Sequence, residues 1–286
     1  MKKGLILYNA YASEPSHQVL RMSEELSSLG VAVAARRNDF FPYSVKKTVS
    51  GRLEQDFCLY LDKDKYTARL MEKQGLRLFD SAAAIELCDD KMLTHIALAN
   101  NGVPMPETLP GLLCYYPDAQ VKKAALDEVE ARLGYPLVVK QAFGSRGSGV
   151  FLARNRAELE NIAESVKLCP HLFQRYIADS HGRDMRVIVI GGEVIGGIYR
   201  ISDTDFRSNI GLGARAECAD VPRAVREIAV NAARILGLDY CGMDFLMSDE
   251  PLLCEVNSNA FFDAFEKTTG INVAAAYAKH IVDSMK

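Results

Sequence analysis

Tyr240-Cys-Gly-Met-Asp-Phe-Leu-Met-Ser-Asp-Glu-Pro-Leu-Leu-Cys-Glu-Val-Asn257 is two apolar runs joined by a short polar turn, the pattern of a β-hairpin. A two-residue turn at Asp249-Glu250 sets Asp244 directly opposite Glu255. Side chains alternate faces with a period of two, so Asn257 shares the face of Glu255. Two carboxylates and an amide oxygen then converge among Cys241, Met243, Phe245, Leu253 and Val256, which leave little sign of a solvent face. Like charges opposite each other are destabilising, and buried carboxylates avoid such a position unless a cation is shared. Oxygen-only ligands suit Mg²⁺, which keeps waters and substrate phosphates in its shell. On another register the same residues are surface charges of an edge strand. The cation reading carries an expectation about stability. Removing one carboxylate, as in Asp244→Asn or Glu255→Gln, relieves repulsion and leaves stability similar or higher.

About a hundred residues upstream, Lys140-Gln-Ala-Phe-Gly-Ser-Arg-Gly-Ser-Gly-Val150 places a lysine at the end of an apolar strand, before a loop with three glycines. Such a loop can offer backbone donors to phosphate oxygens, with the lysine as a point charge. It matches neither GxGxxG nor GxxxxGK[ST], and an ordinary flexible hairpin loop is the other reading. Three glycines in six residues imply low local order without a ligand, and closure over phosphates when one is bound. Asp205-Phe-Arg-Ser-Asn209 supplies an arginine and an amide in a loop, suited to an anionic group or simply solvated. Asp184 and Arg186 share one strand face, either as site residues or as a structural salt bridge.

Strand and helix signals order the rest. Leu5 to Tyr8, Val31 to Ala35 and Phe57 to Leu61 read as strands, and a helix from Ser16 is stopped by Gly30. This alternation argues for a small α/β unit with a mainly parallel sheet over residues 1–89. Residues 90–173 read as a compact central unit. It holds helices at Asp90 to Asn101 and Asp118 to Leu133, strands at Leu137 to Lys140 and Val150 to Ala153, and a helix opened by an Asn155/Glu158 capping box. Residues 174–286 hold two hairpins, one turning at Gly191-Gly192-Glu193, and separate helices. That combination reads as α+β.

Composition narrows the function classes. The chain has 286 residues, 49% hydrophobic and 25% charged, with a net charge of −3, so it is neither disordered nor marked by a nucleic-acid footprint. Val187 to Tyr199, its longest apolar stretch, carries Glu193 and four glycines, too short and interrupted to span a bilayer. The start, MKKGLILYNAYASE, has only a four-residue apolar run, so no secretory signal is expected. The seven cysteines are odd in number and lack zinc-site spacing, which fits reduced thiols and a cytoplasmic setting.

Taken in order, these segments resemble the ATP-grasp superfamily, and within it the RimK-type ligases that add glutamate to a carboxylate. CDDKMLTHIALANNGVPMPET, PLVVKQAFGSRGSGVFLA, DMRVIVIGGEVIGGIYR, DFRSN, GMDFL, CEVNSN and EKTTGIN stand in the family's order over roughly residues 55 to 285. The resemblance implies an ATP-grasp fold of mixed α/β and α+β character. An N-terminal α/β unit, a small central lid unit and a C-terminal α+β unit would hold ATP between the last two. It implies that Lys91 and Lys140 contact phosphates, with Ser145 and Gly147 in the covering loop. Gln174, Arg175, Tyr176 and Ile177 would form the adenine hinge, and Asp184 would bind ribose, with Arg186 beside it. Arg207 and Asn209 would face phosphates or substrate as catalytic residues. Asp244, Glu255 and Asn257 would hold two Mg²⁺, with Mn²⁺ able to substitute.

The implied activity is an ATP- and Mg²⁺-dependent carboxylate–amine ligase working through an acyl phosphate. Its partners would be ATP, a small-molecule or peptide carboxylate and an amino acid such as L-glutamate, with no nucleic acid or membrane. Alternatives are a D-alanine–D-alanine-type ligase, a small-molecule kinase or a non-catalytic nucleotide-binding module. Oligomeric state stays open. Two departures stand out. Arg175 occupies a position where relatives commonly place glutamate, which leaves base selectivity open. SNAFFDAFEKTTG follows Asn257 where relatives show a proline–glycine turn on the acceptor side.

Overall fold

The structure is a computed structural model describing residues 1–145 and 147–286; Arg146, within the glycine loop, lies outside the described residues. The first elements are β1 (Lys3–Tyr8), α1 (His17–Ser28), β2 (Ala32–Arg37), the small β3 (Tyr43–Val45) and β4 (Val49–Gly51), β5 (Phe57–Leu61), α2 (Lys65–Lys73), β6 (Arg77–Phe79) and α3 (Ala82–Asp89). Four of the strands form a parallel sheet in the order β2-β1-β5-β6. β5 is buried along its whole length, as a parallel strand covered on both faces must be. The expected strand and helix positions are present, and Ser16 caps α1 by accepting from the Val19 amide.

Next come α4 (Lys91–Leu98), β7 (Thr108–Pro110), α5 (Lys123–Leu133), β8 (Leu137–Gln141), β9 (Val150–Ala153), α6 (Arg156–Val166) and β10 (His171–Arg175). The helix read as Asp90 to Asn101 is therefore shorter, preceded by α3, which periodicity did not separate from it. Asp90 makes the break: its side chain accepts from the Met92 and Leu93 amides and starts α4 afresh. The helix read from Asp118 begins at Lys123. At Asn155 the capping box is half made. Asn155 accepts from the Glu158 amide, but Glu158 reaches back to the Arg154 amide instead of that of Asn155.

The last region holds β11 (Arg183–Ile190), β12 (Glu193–Ile201), β13 (Arg215–Ala219), α7 (Arg223–Leu236), β14 (Tyr240–Met247), β15 (Pro251–Asn257), α8 (Asp263–Thr269) and α9 (Val273–Ser284). Its sheet runs β13-β12-β11-β14-β15, antiparallel throughout. The β11–β12 turn is Gly191-Gly192, with φ of 57° and 81°, the left-handed pair that a tight two-residue hairpin requires. Cores cross the boundaries read from sequence. Ala84, Cys88 and Leu98 pack with Val225, Ala229 and Met243, so α3 and α4 lie on the C-terminal sheet's side. Tyr277, Ala278 and Ile281 of α9 pack with Val19, Met22 and Leu26 of α1.

Candidate active site

Two sheets face one another across a cleft of about 830 Å³, open solvent included. In the central sheet β10 pairs with β8 so that Gln174 stands opposite Val138 and Leu172 opposite Lys140. Val138, Lys140 and Gln174 line the cleft. Their neighbours Leu137, Val139 and Phe173 point the other way, into a core with Leu126, Leu133 and Leu159 of α5 and α6. Period-two alternation thus sorts the sheet into a cleft face and a helix face.

The opposite wall is built by the C-terminal sheet, and two β-bulges set its chemistry. In β14–β15, Met247 pairs with Pro251 across a three-residue turn, in place of the two-residue turn read from sequence. Without correction Asp244 would face Cys254. A register shift between Asp244 and Phe245 restores Asp244 opposite Glu255, and Cys254 and Glu255 then both line the cleft. In β11–β12 the shift lies between Ile188 and Val189 and brings Arg200 opposite Asp184. A one-residue slip reverses the face of every side chain, and a bulge applies that slip locally.

The expected residues gather in this cleft, with two exceptions. Lys91, Lys140, Ser145, Gly147, Gln174, Arg175, Tyr176, Ile177, Asp184, Arg207, Asn209, Asp244 and Glu255 line it; Arg186 and Asn257 do not. Lys91 Nζ donates to the Gly144 carbonyl at 3.0 Å and lies 3.7 Å from Glu255 Oε1. Lys140 Nζ is 3.3 Å from Cys254 Sγ. Arg207 is gripped by Asp205 and donates to the Gly147 carbonyl at 2.8 Å. That grip draws the Asp205 carboxyl below its usual range. Gly147 has φ of 78°, and a Cβ there would sit 2.8 Å from Asn209 Oδ1. A side chain here would strain the backbone and push against Asn209, so glycine favours this approach of the loop to Arg207 and Asn209.

Asp244 corrects the repulsion argument. Arg186 binds it bidentately at 2.7 and 2.8 Å, and Arg200 donates a third bond at 2.7 Å. Asp184 is likewise held by Arg200 through both oxygens, so its ribose role would have to share that arginine. Asp184 and Arg186 do not bridge each other; each pairs across a strand. Burial opposes ionisation of Asp244, but Arg186 and Arg200 outweigh it and hold its pKa at about 2. For Asp184 burial prevails and the pKa rises, only partly offset by Arg200. Removing Asp244 eases its repulsion of Asp184 but strands two arginines, which is the larger loss. Stability should fall, contrary to the expectation above.

The donors fit a hard divalent cation. Asp244 Oδ1 accepts one hydrogen bond and so keeps acceptor capacity, while Glu255 stands opposite it in the cleft wall. Among the described residues no three or more His, Cys, Asp and Glu cluster as a metal site, so this pair would need water or phosphate oxygens to complete a cation's shell.

A RimK-like ATP-grasp domain model matches residues 88–281, a span that contains every residue lining the cleft. The chain belongs to the RimK-like ATP-grasp family. Beta-citrylglutamate synthase B of Danio rerio is 38% identical over 225 residues, 77% of this chain and 54% of that protein. Ribosomal protein bS6–L-glutamate ligase of Escherichia fergusonii is 36% identical over 217 residues, 74% of this chain and 70% of that protein. This chain thus spans about half the length of the first of these relatives. Among solved structures, ATP-grasp ligase PsnB complexed with minimal precursor superposes with a TM-score of 0.74 at 19% identity, covering 100% of this chain and 99% of that one. A likeness at that identity establishes the ATP-grasp fold alone.

Within this ATP-grasp cleft the sequence reading missed Arg200, buried to 3% exposure between Asp184 and Asp244. A turn at Gly191-Gly192 without a bulge pairs Arg200 with Arg183, so no local signal marked it. It also missed Cys254, His95 and Thr108. Arg175 is resolved by alternation. Its guanidinium bonds Glu107 at 2.6 Å and the carbonyls of Arg132 and Leu133, all on the helix face. Hydrogen bonding to Arg175 is the main reason the Glu107 carboxyl lies below its usual range. Arg175→Ala should therefore leave nucleotide preference unchanged and lower stability by no more than about 1 kcal/mol. Parallel titrations with two purine nucleotides and a thermal melt test this, and a changed preference overturns the assignment.

Proposed function

We propose that the protein is an ATP-dependent carboxylate–amine ligase that joins an amino acid such as L-glutamate to a small-molecule or peptide carboxylate. The observation that carries this reading is the make-up of the cleft: apolar Val138, Val150, Ile177 and Leu246 line it together with Lys91, Lys140, Arg207, Asp244 and Glu255. A concave wall that combines apolar side chains with a few cations and carboxylates suits a base with a phosphate chain. The names of the relatives, which include L-glutamate ligase and citrylglutamate synthase, support the choice of acid and amine.

Lys91, Lys140 and Arg207 would hold the phosphate chain, and the loop around Gly147 would cover it and exclude water. A substrate carboxylate oxygen then attacks the γ-phosphorus. The bond to the β-phosphate oxygen breaks, leaving ADP and an acyl phosphate. The amine attacks the acyl carbon, phosphate departs, and the nitrogen loses a proton to solvent. Two Mg²⁺ held by Asp244, Glu255 and Asn257, or Mn²⁺ in their place, would neutralise charge developing on the phosphates. Asn209, against the loop, is assigned to orient the transferring group. Units at 1–89, 90–173 and 174–286 remain our working division. The seven free cysteines suit a reducing cytoplasm, and among the described residues no helix is long and apolar enough to cross a membrane.

Purified protein with ATP and Mg²⁺, screened against a matrix of carboxylates and amino acids, should release ADP only when both an acid and an amine are present. Product mass then identifies the amide. ADP release with an acid alone, leaving a stable phosphorylated product, would make the protein a kinase. No release with any pair would leave the ligase reading without support.

A further inference from the structure

Gln174, at the start of the expected hinge, is 2% exposed, and its amide is held in a chain of hydrogen bonds with a readable direction. The chain starts at the Pro106 carbonyl, which can only accept. Thr108 Oγ1 donates its single hydrogen to that carbonyl at 2.8 Å. The same Oγ1 lies 2.9 Å from the Gln174 amide, and with its proton spent it can only accept there. The group of Gln174 that faces Thr108 is therefore the NH₂. Its second hydrogen points to His95 Nε2, 3.2 Å away. Burial, reinforced by Lys140, lowers the His95 pKa to about 4, so the ring is neutral and Nε2 can accept. The other ring nitrogen, Nδ1, lies 3.1 Å from Met105 Sδ.

Both hydrogens of the Gln174 amide are thus committed away from the cleft, and Oε1 is left on the cleft side. Its neighbour there is Cys254 Sγ at 3.9 Å, a weak donor that a stronger one would replace. Resting on the nucleotide reading of this cleft, we propose that Gln174 Oε1 reads the base as a fixed acceptor for a 6-amino purine, with Thr108 and His95 as its positioning residues. A 6-oxo purine presents an acceptor at the same point. Two acceptors then meet without a proton, and a buried polar group is left unpaired. Selectivity for adenine accordingly comes from the residue before Arg175, which explains how the hinge tolerates an arginine there.

The test compares ATP with inosine triphosphate, which differs from it at C6, by calorimetric titration in Mg²⁺, with inorganic tripolyphosphate as a probe of the phosphate subsite alone. In the wild type ATP should bind at least about tenfold tighter than inosine triphosphate. Thr108→Val frees the amide to turn, so the ratio should fall close to one while tripolyphosphate affinity stays the same. Thr108→Ser keeps the hydroxyl and should restore the ratio. It also separates loss of the relay from a general disturbance of β7. Equal binding of the two nucleotides by the wild type, or an unchanged ratio in a folded Thr108→Val, overturns the proposal and leaves the ligase reading standing. Absence of ATP binding in the folded wild type removes both.

Discussion

Glu255→Gln is expected to lower turnover by about 10²–10³-fold, the usual loss when one group that stabilises developing charge is removed. Its melting temperature should scarcely move. The Glu255 side chain is 31% exposed, and its ionic neighbour, Lys91, is 3.7 Å away and also held by the Gly144 carbonyl. Loss of so loose a pair costs less than about 1 kcal/mol. The substitution therefore separates chemistry from folding, which few changes in this cleft can do. Coupled detection of ADP with an active acid–amine pair measures the first effect, and a thermal melt the second. Full activity at ordinary Mg²⁺ would remove Glu255 from the cation set. A large fall in melting temperature would mean that the carboxylate is structural.

Asp244→Asn should also abolish turnover, but here the fold suffers with it. Asp244 is 5% exposed and accepts from two arginines. The variant leaves Arg186 facing a neutral amide and Arg200 with Asp184 alone. Breaking a buried pair by removing one partner costs about 3–5 kcal/mol, and denaturant unfolding should register a loss of that order. The pH dependence has a definite sign. The Asp244 pKa is held at about 2 in the folded protein, against about 3.9 for an unfolded aspartate. Its contribution is complete above about pH 4 and is lost as pH falls through about 2. Asp184 shifts the opposite way, raised in part by Asp244 itself, so the difference between wild type and Asp244→Asn reports the two carboxylates together. Equal stability of the two proteins at neutral pH would show that the arginines do not depend on this carboxylate.

These two outcomes diverge because Asp244 and Glu255, equivalent in the hairpin's sequence, are held differently. A strand pair shows which side chains share a face. It does not show what the next strand brings against them. Arg186 reaches Asp244 from β11, its partner strand, and Arg200 reaches it from β12, one strand further. The repulsion inferred from Asp244 and Glu255 alone was reasonable for two strands and wrong for five.

Local chemistry along the chain fixed the individual elements. Apolar runs placed β5, β9, β11 and β14 within a residue or two. Gly191-Gly192 placed a hairpin because few other pairs adopt two positive φ values in succession. Lysine, glycine and carboxylate segments in their order pointed to the family and gathered most of the cleft residues. Register and partners were set by packing between strands that are distant in the chain. Asp244 stands opposite Glu255 because a longer turn and a bulge at Cys254 cancel, and Arg200 faces Asp184 because a second bulge shifts β12 by one residue. A bulge costs little locally and is selected by packing across strands, so it leaves almost no mark in the sequence. The same holds for Gln174, whose amide is oriented by Thr108 and His95 from elements 66 and 79 residues away. Hydrogen-bond direction belongs to the assembled network, and no window of sequence contains that network.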